Sequence, residues 1–309
     1  MAKIGLIDVD YSGYPNIPLM KLSQWHKNQG DSVQWYDHFS GRFDVVYVSK
    51  VFSFSADFQE FINADKVVRG GSGYAISLKD GKECYNSLID KPLPYEIEHT
   101  YPDYSIYPNC DDTAYGFLSR GCPRGCDFCH VAKKEGKMSK KVANLDEFWR
   151  GQRNIVLCDP NILACRDWKD LLQQLIDSKA LVDFNQGLDA RLMTEEKARM
   201  LNKVKIKRIH FAWDRFGEKD AVLRGLIIFG EHNRRVCANH NAIVYVLTNY
   251  DTTIEQDLER IYTLRELGYW AYVMIYDKEH CPLIYKKLQG WVNNRIIFAK
   301  CERFEQFSD

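Results

Sequence analysis

Short apolar runs alternate along the chain with stretches of helical periodicity. Lys3–Asp8 (KIGLID) and residues 44–49 (DVVYVS) are strand-length runs with almost no interruption. Between them, Ile17, Leu19, Met20, Leu22 and Trp25 fall at helical spacing and Gly30 supplies a stop, so a helix is expected over 17–30. A strand over 32–36 follows. This β-α-β-β order predicts a small, truncated Rossmann-like α/β unit over residues 1–75. Gly70-Gly71-Ser72-Gly73 reads as a tight turn near its end, with backbone approach to a ligand the alternative.

Residues 90–112 carry four prolines and many polar side chains, so 76–112 reads as a linker. Beyond it, strand-like runs recur at 114–118, 154–158, 181–185, 206–213, 242–248 and 270–276. Helical runs fall between them at 145–152, 168–178, 194–203, 220–235 and 254–267. Thr194-Glu195-Glu196 and Thr253-Ile254-Glu255 have the hydroxyl cap and acidic first turn of a helix start. Six successive β-α units over 113–280 predict an α/β fold, a parallel sheet with right-handed crossovers curled into a partial (β/α)6 TIM-like barrel. Residues 281–309 are expected to pack on it as a C-terminal extension. In such folds, catalysis collects at the carboxyl ends of the strands.

Composition narrows the setting. The chain has 309 residues, with 42 Lys+Arg against 42 Asp+Glu, so no global field favours nucleic acid or an anionic membrane. The start has only a four-residue apolar run before Asp8, a first strand rather than a signal peptide, and no apolar stretch is long enough to span a bilayer. A soluble, cytoplasmic protein with reduced thiols is the expectation, and its ten cysteines then suggest metal ligation rather than disulfides.

Three of those cysteines share one loop, Cys122-Pro123-Arg124-Gly125-Cys126-Asp127-Phe128-Cys129, directly after the first strand of the second region. Thiolates at C-x3-C-x2-C spacing can converge on one soft metal centre, iron–sulfur or zinc. No fourth cysteine follows at short range, so one coordination position is left open. A zinc knuckle with a distant fourth ligand is the alternative; His130 is a poor fourth ligand because it adjoins Cys129.

The loop spacing, the aromatic Phe128 before the third cysteine, and the position after the first barrel strand together resemble the radical S-adenosylmethionine superfamily, over roughly residues 115–276. The resemblance implies a [4Fe–4S] cluster held by Cys122, Cys126 and Cys129, with S-adenosylmethionine chelating the open iron. It further implies reductive cleavage to a 5′-deoxyadenosyl radical that abstracts hydrogen from an unidentified substrate (a small molecule, nucleotide or nucleic acid), with a reductant such as flavodoxin or ferredoxin. Where the family often has Gly-Gly-Glu, this chain has Cys158-Asp159-Pro160-Asn161. Asp159 and Asn161 then become candidates for the ammonium of the cofactor, or else a turn and cap. Gln186, Asp189 and Arg191 suit a ribose hydroxyl or a carboxylate, an Asp189–Arg191 pair being the alternative. Asp214 is a candidate contact to substrate or cofactor after the fourth strand; Thr248 and Asn249 hold the corresponding place after the fifth. Cys158 lies at a strand end facing the expected site, as a hydrogen donor, a methyl acceptor or a buried hydrophobe.

The remaining cysteines form no C-x2-C pair and read as packing rather than a second cluster. The first unit partly resembles the cobalamin-binding domain of some members of that superfamily. It is short and has no histidine in Asp8-Val9-Asp10-Tyr11-Ser12-Gly13, so a packing relic or substrate lid is expected, with cobalamin binding and radical methyl transfer as the alternative. The basic run from Lys133 to Lys141 reads as a solvated loop or a phosphate contact. From a different class, a metal-stabilised nucleic-acid- or partner-binding protein remains the competing reading.

Overall fold

The computed structural model describes residues 1–10, 13–79, 82–108, 110 and 112–307. Tyr11 and Ser12 of the segment just named, Asp80, Gly81, Asn109 and Asp111 of the linker, and Ser308 and Asp309 of the C-terminal extension lie outside these residues. The fold is α/β with two parallel sheets.

The first region contains β1 (Lys3–Asp8), helix α1 (Ile17–Asn28), β2 (Ser32–Trp35), β3 (Phe43–Ser49) and β4 (Ala64–Gly70), the strands pairing in parallel in the order β2-β1-β3-β4. Helix α1 starts because the Asn16 side chain accepts the Leu19 amide at 3.2 Å, and Pro18 is pre-set for a first turn. Gly30 ends it at φ 82. Ile4, Leu6, Leu19 and Leu22 form one core layer; Ile7, Phe43, Val46 and Val48 form the other. The fourth strand escapes the sequence pattern because it is an edge strand, mostly solvated, with no apolar alternation. At the glycine turn after it, a Cβ on Gly71 would stand 2.2 Å from the Lys50 carbonyl oxygen, so these glycines serve close packing of backbone on backbone.

After the short α2 (Ser72–Ala75), the stretch expected as a linker holds a hairpin of β5 (Ile76–Lys79) and β6 (Lys82–Tyr85), and α3 (Tyr95–Glu98). It also packs on both sheets. The buried Tyr107 hydroxyl donates to Asp8 at 2.6 Å, and that of Tyr104 donates to the Phe148 carbonyl at 2.7 Å. Asp103 accepts from Ser23 and Lys27 of α1, both at 2.6 Å.

The second sheet begins with β7 (Thr113–Gly116). A two-residue ladder of β8 (Ser119–Arg120) with β9 (Lys140–Lys141) then pins the base of the cysteine excursion, which carries α4 (Val131–Lys134). There follow β10 (Asn154–Leu157), α5 (Trp168–Ser178), β11 (Leu181–Leu188), α6 (Glu195–Lys203), β12 (Ile206–Ala212), α7 (Lys219–His232), α8 (Arg234–Ala238), β13 (Ala242–Thr248), α9 (Ile254–Glu266), β14 (Trp270–Ile275), α10 (Leu283–Asn293) and α11 (Arg295–Lys300). The six strands pair in parallel in chain order, β7-β10-β11-β12-β13-β14. Ile155 and Leu157, Val182 and Phe184, Ile209 and Phe211, Val244 and Val246, and Ala271 and Val273 are buried in one core with residues of α5, α6, α7 and α9. The alternate residues, Tyr115, Val156, Asp183, His210, Tyr245 and Tyr272, belong to the opposite face. Two departures from the expected elements have local causes. The helix expected over 145–152 is a single turn, Leu145–Glu147, with the chain reversing at Gly151 (φ 96). The helix expected over 220–235 breaks at Asn233, whose buried amide donates to the Phe229 and Ala198 carbonyls, both at 3.1 Å.

The free edge of β14 is covered rather than paired. Asn293 of α10 accepts the Val273 amide at 2.8 Å and donates to its carbonyl at 3.1 Å, as another strand would. Inside the helical layer, α7 lies so close to the turn at Ala190 that a Cβ on Gly225 would stand 1.8 Å from the Ala190 carbonyl oxygen. Gly225→Ala should therefore lower stability by about 1–3 kcal/mol through overpacking, despite alanine's better helix propensity. Thermal and urea unfolding measure this; an unchanged or raised midpoint would contradict so tight a seat for α7.

Candidate functional site

The cysteine loop leaves the sheet at the carboxyl end of β7 and is aimed by a buried carboxylate. Asp159, just past β10, accepts the Leu118 amide at 3.0 Å and both the amide and hydroxyl of Ser119 at 2.6 and 2.8 Å. Burial pushes its carboxyl up to about 6, against those hydrogen bonds. Gly121 follows at φ 90, where a Cβ would stand 2.2 Å from the Met138 carbonyl oxygen. Glu135 then ties the loop to itself, accepting from the Gly121 amide at 3.1 Å and the Arg120 guanidinium at 3.2 Å.

From this base the loop reaches residues beyond the ends of β10, β11, β12 and β13, and is linked to the end of β14 only through Tyr250. Asn161, after β10, directs its amide at the Cys122 sulfur at 3.7 Å. Arg124 pairs with Asp189, after β11. Asp127 faces Arg215, after β12, at 3.5 Å. The Phe128 ring meets Tyr250, after β13, edge-on at 5.2 Å, and Tyr250 meets Tyr276, after β14, at 4.9 Å. On the outer side, His130 contacts Glu83 of β6 at 2.7 Å and Lys134 reaches Ser72.

All three loop thiols are half-buried and free. Burial first, then the neighbouring Asp214 and Cys122, raise the Cys126 thiol; burial carries Cys129 up to about 11. Uncharged thiols must lose protons to bind a metal, so loading would be proton-linked. Among the described residues, no three His, Cys, Asp or Glu side chains already converge closely enough to hold a metal ion. The donor chemistry nevertheless suits a thiophilic centre: three thiols within electrostatic reach of one another, and beside them the buried Asn161 Oδ1, which lacks a hydrogen-bond partner.

The other expected site residues divide into two groups. Asp159, Thr248 and Asn249 are engaged within the protein. The Thr248 hydroxyl donates to the Met274 carbonyl at 3.3 Å, and the Asn249 amide to that of Tyr276 at 2.8 Å from a left-handed backbone (φ 60). Asp189 and Arg191 pair with each other at 2.7 Å, and Arg191 also meets Glu218. Gln186 is exposed on an irregular step of β11, and Asp214 lies beside Cys126 and within the field of Arg260. Cys158 is half-buried just past the end of β10, its thiol pushed up to about 12 chiefly by burial and then by Asp159.

Sequence reasoning missed Arg124, Arg215, Glu218, Tyr250 and Arg260. The fully buried Arg260 donates to the carbonyls of Trp213 and Leu247 at 2.5 and 2.7 Å and pairs with Asp257 at 2.5 Å, joining the ends of β12 and β13. Only the loop position of Arg124, a cation between two thiols, carried any signal for this group. No family model matches the chain, and no curated protein is similar to it.

Burial pushes the Asp214 carboxyl up to about 6. A carboxyl raised on folding binds more protons folded than unfolded, so its contribution falls as pH rises from about 4 through 6. Asp214→Asn in the metal-free protein should thus raise the unfolding midpoint at pH 7 and leave it nearly unchanged at pH 4. A variant less stable at pH 7 would show that the ionised form is the one favoured.

Proposed function

We propose that the chain is a radical S-adenosylmethionine enzyme whose second region is a partial (β/α)6 barrel. One observation carries the reading: a C-x3-C-x2-C loop rooted after β7 touches residues beyond the ends of β10, β11, β12 and β13, at the edge where such folds do chemistry.

Cys122, Cys126 and Cys129 would hold a [4Fe–4S] cluster. With S-adenosylmethionine bound, such a cluster would supply one-electron chemistry, passing an electron from an external reductant to cleave the sulfonium and start hydrogen abstraction from the substrate. The protein's part is to bind, orient and exclude water. Asn161 Oδ1 is a free acceptor for an ammonium next to Cys122. Gln186 offers an uncommitted amide. The Arg124–Asp189–Arg191–Glu218 chain fixes the loop over the sheet rather than offering free charges. Tyr115, Cys158 and Tyr245, on the face away from the helices, would meet the substrate. Cys158 stays protonated at neutral pH and so retains an S–H hydrogen to donate. The first region is read as a packing relic or a substrate lid; the protein would work in a reducing cytoplasm with an electron donor such as flavodoxin or ferredoxin.

Anaerobic reconstitution should give a brown protein that forms 5′-deoxyadenosine from S-adenosylmethionine and dithionite. Cys→Ala at 122, 126 or 129 should abolish both colour and product. Bound zinc with no product would favour the metal-stabilised binding protein, and a cobalamin spectrum would move the assignment to methyl transfer.

A further inference from the structure

The opposite end of the second sheet carries a cleft of about 370 Å³. It is formed where the chain enters three adjacent strands: Arg153 precedes β10, Lys179 precedes β11 and Lys205 precedes β12. Trp149, Gln152 and Ser178 complete the polar and aromatic lining, and no carboxylate lines it. Asp112 stands on the rim, where its carboxylate accepts the Arg153 amide at 3.3 Å. Each of the three cations lacks a carboxylate within ion-pair distance among the described residues, although the chain as a whole balances its charges.

Lys179 is also costly to keep as a lysine. It caps α5 in the left-handed region (φ 56, ψ 10), the position where glycine is the easy residue. Part of that cost is offset because a cation suits a helix carboxyl end. That effect does not account for two further unpaired cations around the same cleft.

We propose that this cleft binds a multiply charged phosphate compound of nucleotide size. Arg153, Lys179 and Lys205 hold the phosphates, and Trp149 supplies a wall for a ring. A volume above 300 Å³ is in the range of small-molecule sites, and Arg with Lys is the usual pairing for phosphate oxygens. The site lies at the strand ends away from the cysteine loop, so it stands or falls separately from the radical chemistry.

Isothermal titration of the full chain at low salt, with sodium tripolyphosphate and with ATP, tests this. Saturable binding that weakens with added salt is expected. Arg153→Ala and Lys205→Ala should each weaken it about tenfold, the worth of a lost charge-assisted contact. Lys179→Gly separates ligand binding from helix capping: it should cut affinity while leaving the unfolding midpoint unchanged or higher. Cys122→Ala should bind both probes like the parent. ATP is expected to bind more tightly than tripolyphosphate because of the ring wall; equal or weaker affinity for ATP overturns the role given to Trp149 and the nucleotide-sized ligand. No saturable heat with either probe, or equal affinity in all three cation variants, overturns the proposal.

Discussion

Parallel strands laid down in chain order constrain everything else in the second region. Each crossover must return the chain to the same end of the sheet, so the helices fall on one face and all loops leaving the strands gather at one edge. A loop rooted on the outermost strand, β7, can then meet loops rooted on the four strands that follow it. The cysteine loop does so through chemically different contacts: an amide to sulfur after β10, ion pairs after β11 and β12, and an aromatic edge after β13. No single contact of this kind is worth much when partly solvated. Their effect comes from convergence, because moving the loop breaks several together.

Beneath that loop the polar groups are buried, and the cost is met in two ways. Asp159 is surrounded by donors from the loop base, so its desolvation is partly offset and its position fixed. Arg260 and Asp257 are less completely satisfied: Arg260 Nε and Asp257 Oδ2 lack partners. A buried ion pair of that sort is weak evidence for stability. Its geometry is the more informative feature, since one guanidinium grips the last carbonyls of two neighbouring strands and sets where Asp214 leaves β12.

The elements that a sequence reveals are those whose burial is one-sided or complete. The apolar runs of β1, β3 and β10 through β14 were legible because both their length and their composition match buried parallel strands. The fourth strand was not, since an exposed edge imposes no apolar period, and the two-residue ladder of β8 with β9 is too short to leave one. Site residues posed a different difficulty. Asp159, Thr248 and Asn249 have the right chemistry at the right strand ends, but a neighbouring strand's amide or carbonyl recruits the same chemistry as a ligand would. Sequence alone does not separate the two. Asp189 and Arg191 were seen as a possible pair because they are two residues apart; Arg124, 65 residues from Asp189, could not be.

Charge is distributed unevenly between the two ends of this sheet, and the contrast matters more than the zero net charge. At the carboxyl end, Arg124, Arg191 and Arg215 all face carboxylates, so the cations there are structural and the field they project is small. The opposite end has Arg153, Lys179 and Lys205 around a cleft with no such compensation. The helices return antiparallel to the strands, so their carboxyl ends, which favour cations, lie at that opposite end. Each end of the sheet then draws its chemistry from whether its charged side chains are already spent on one another.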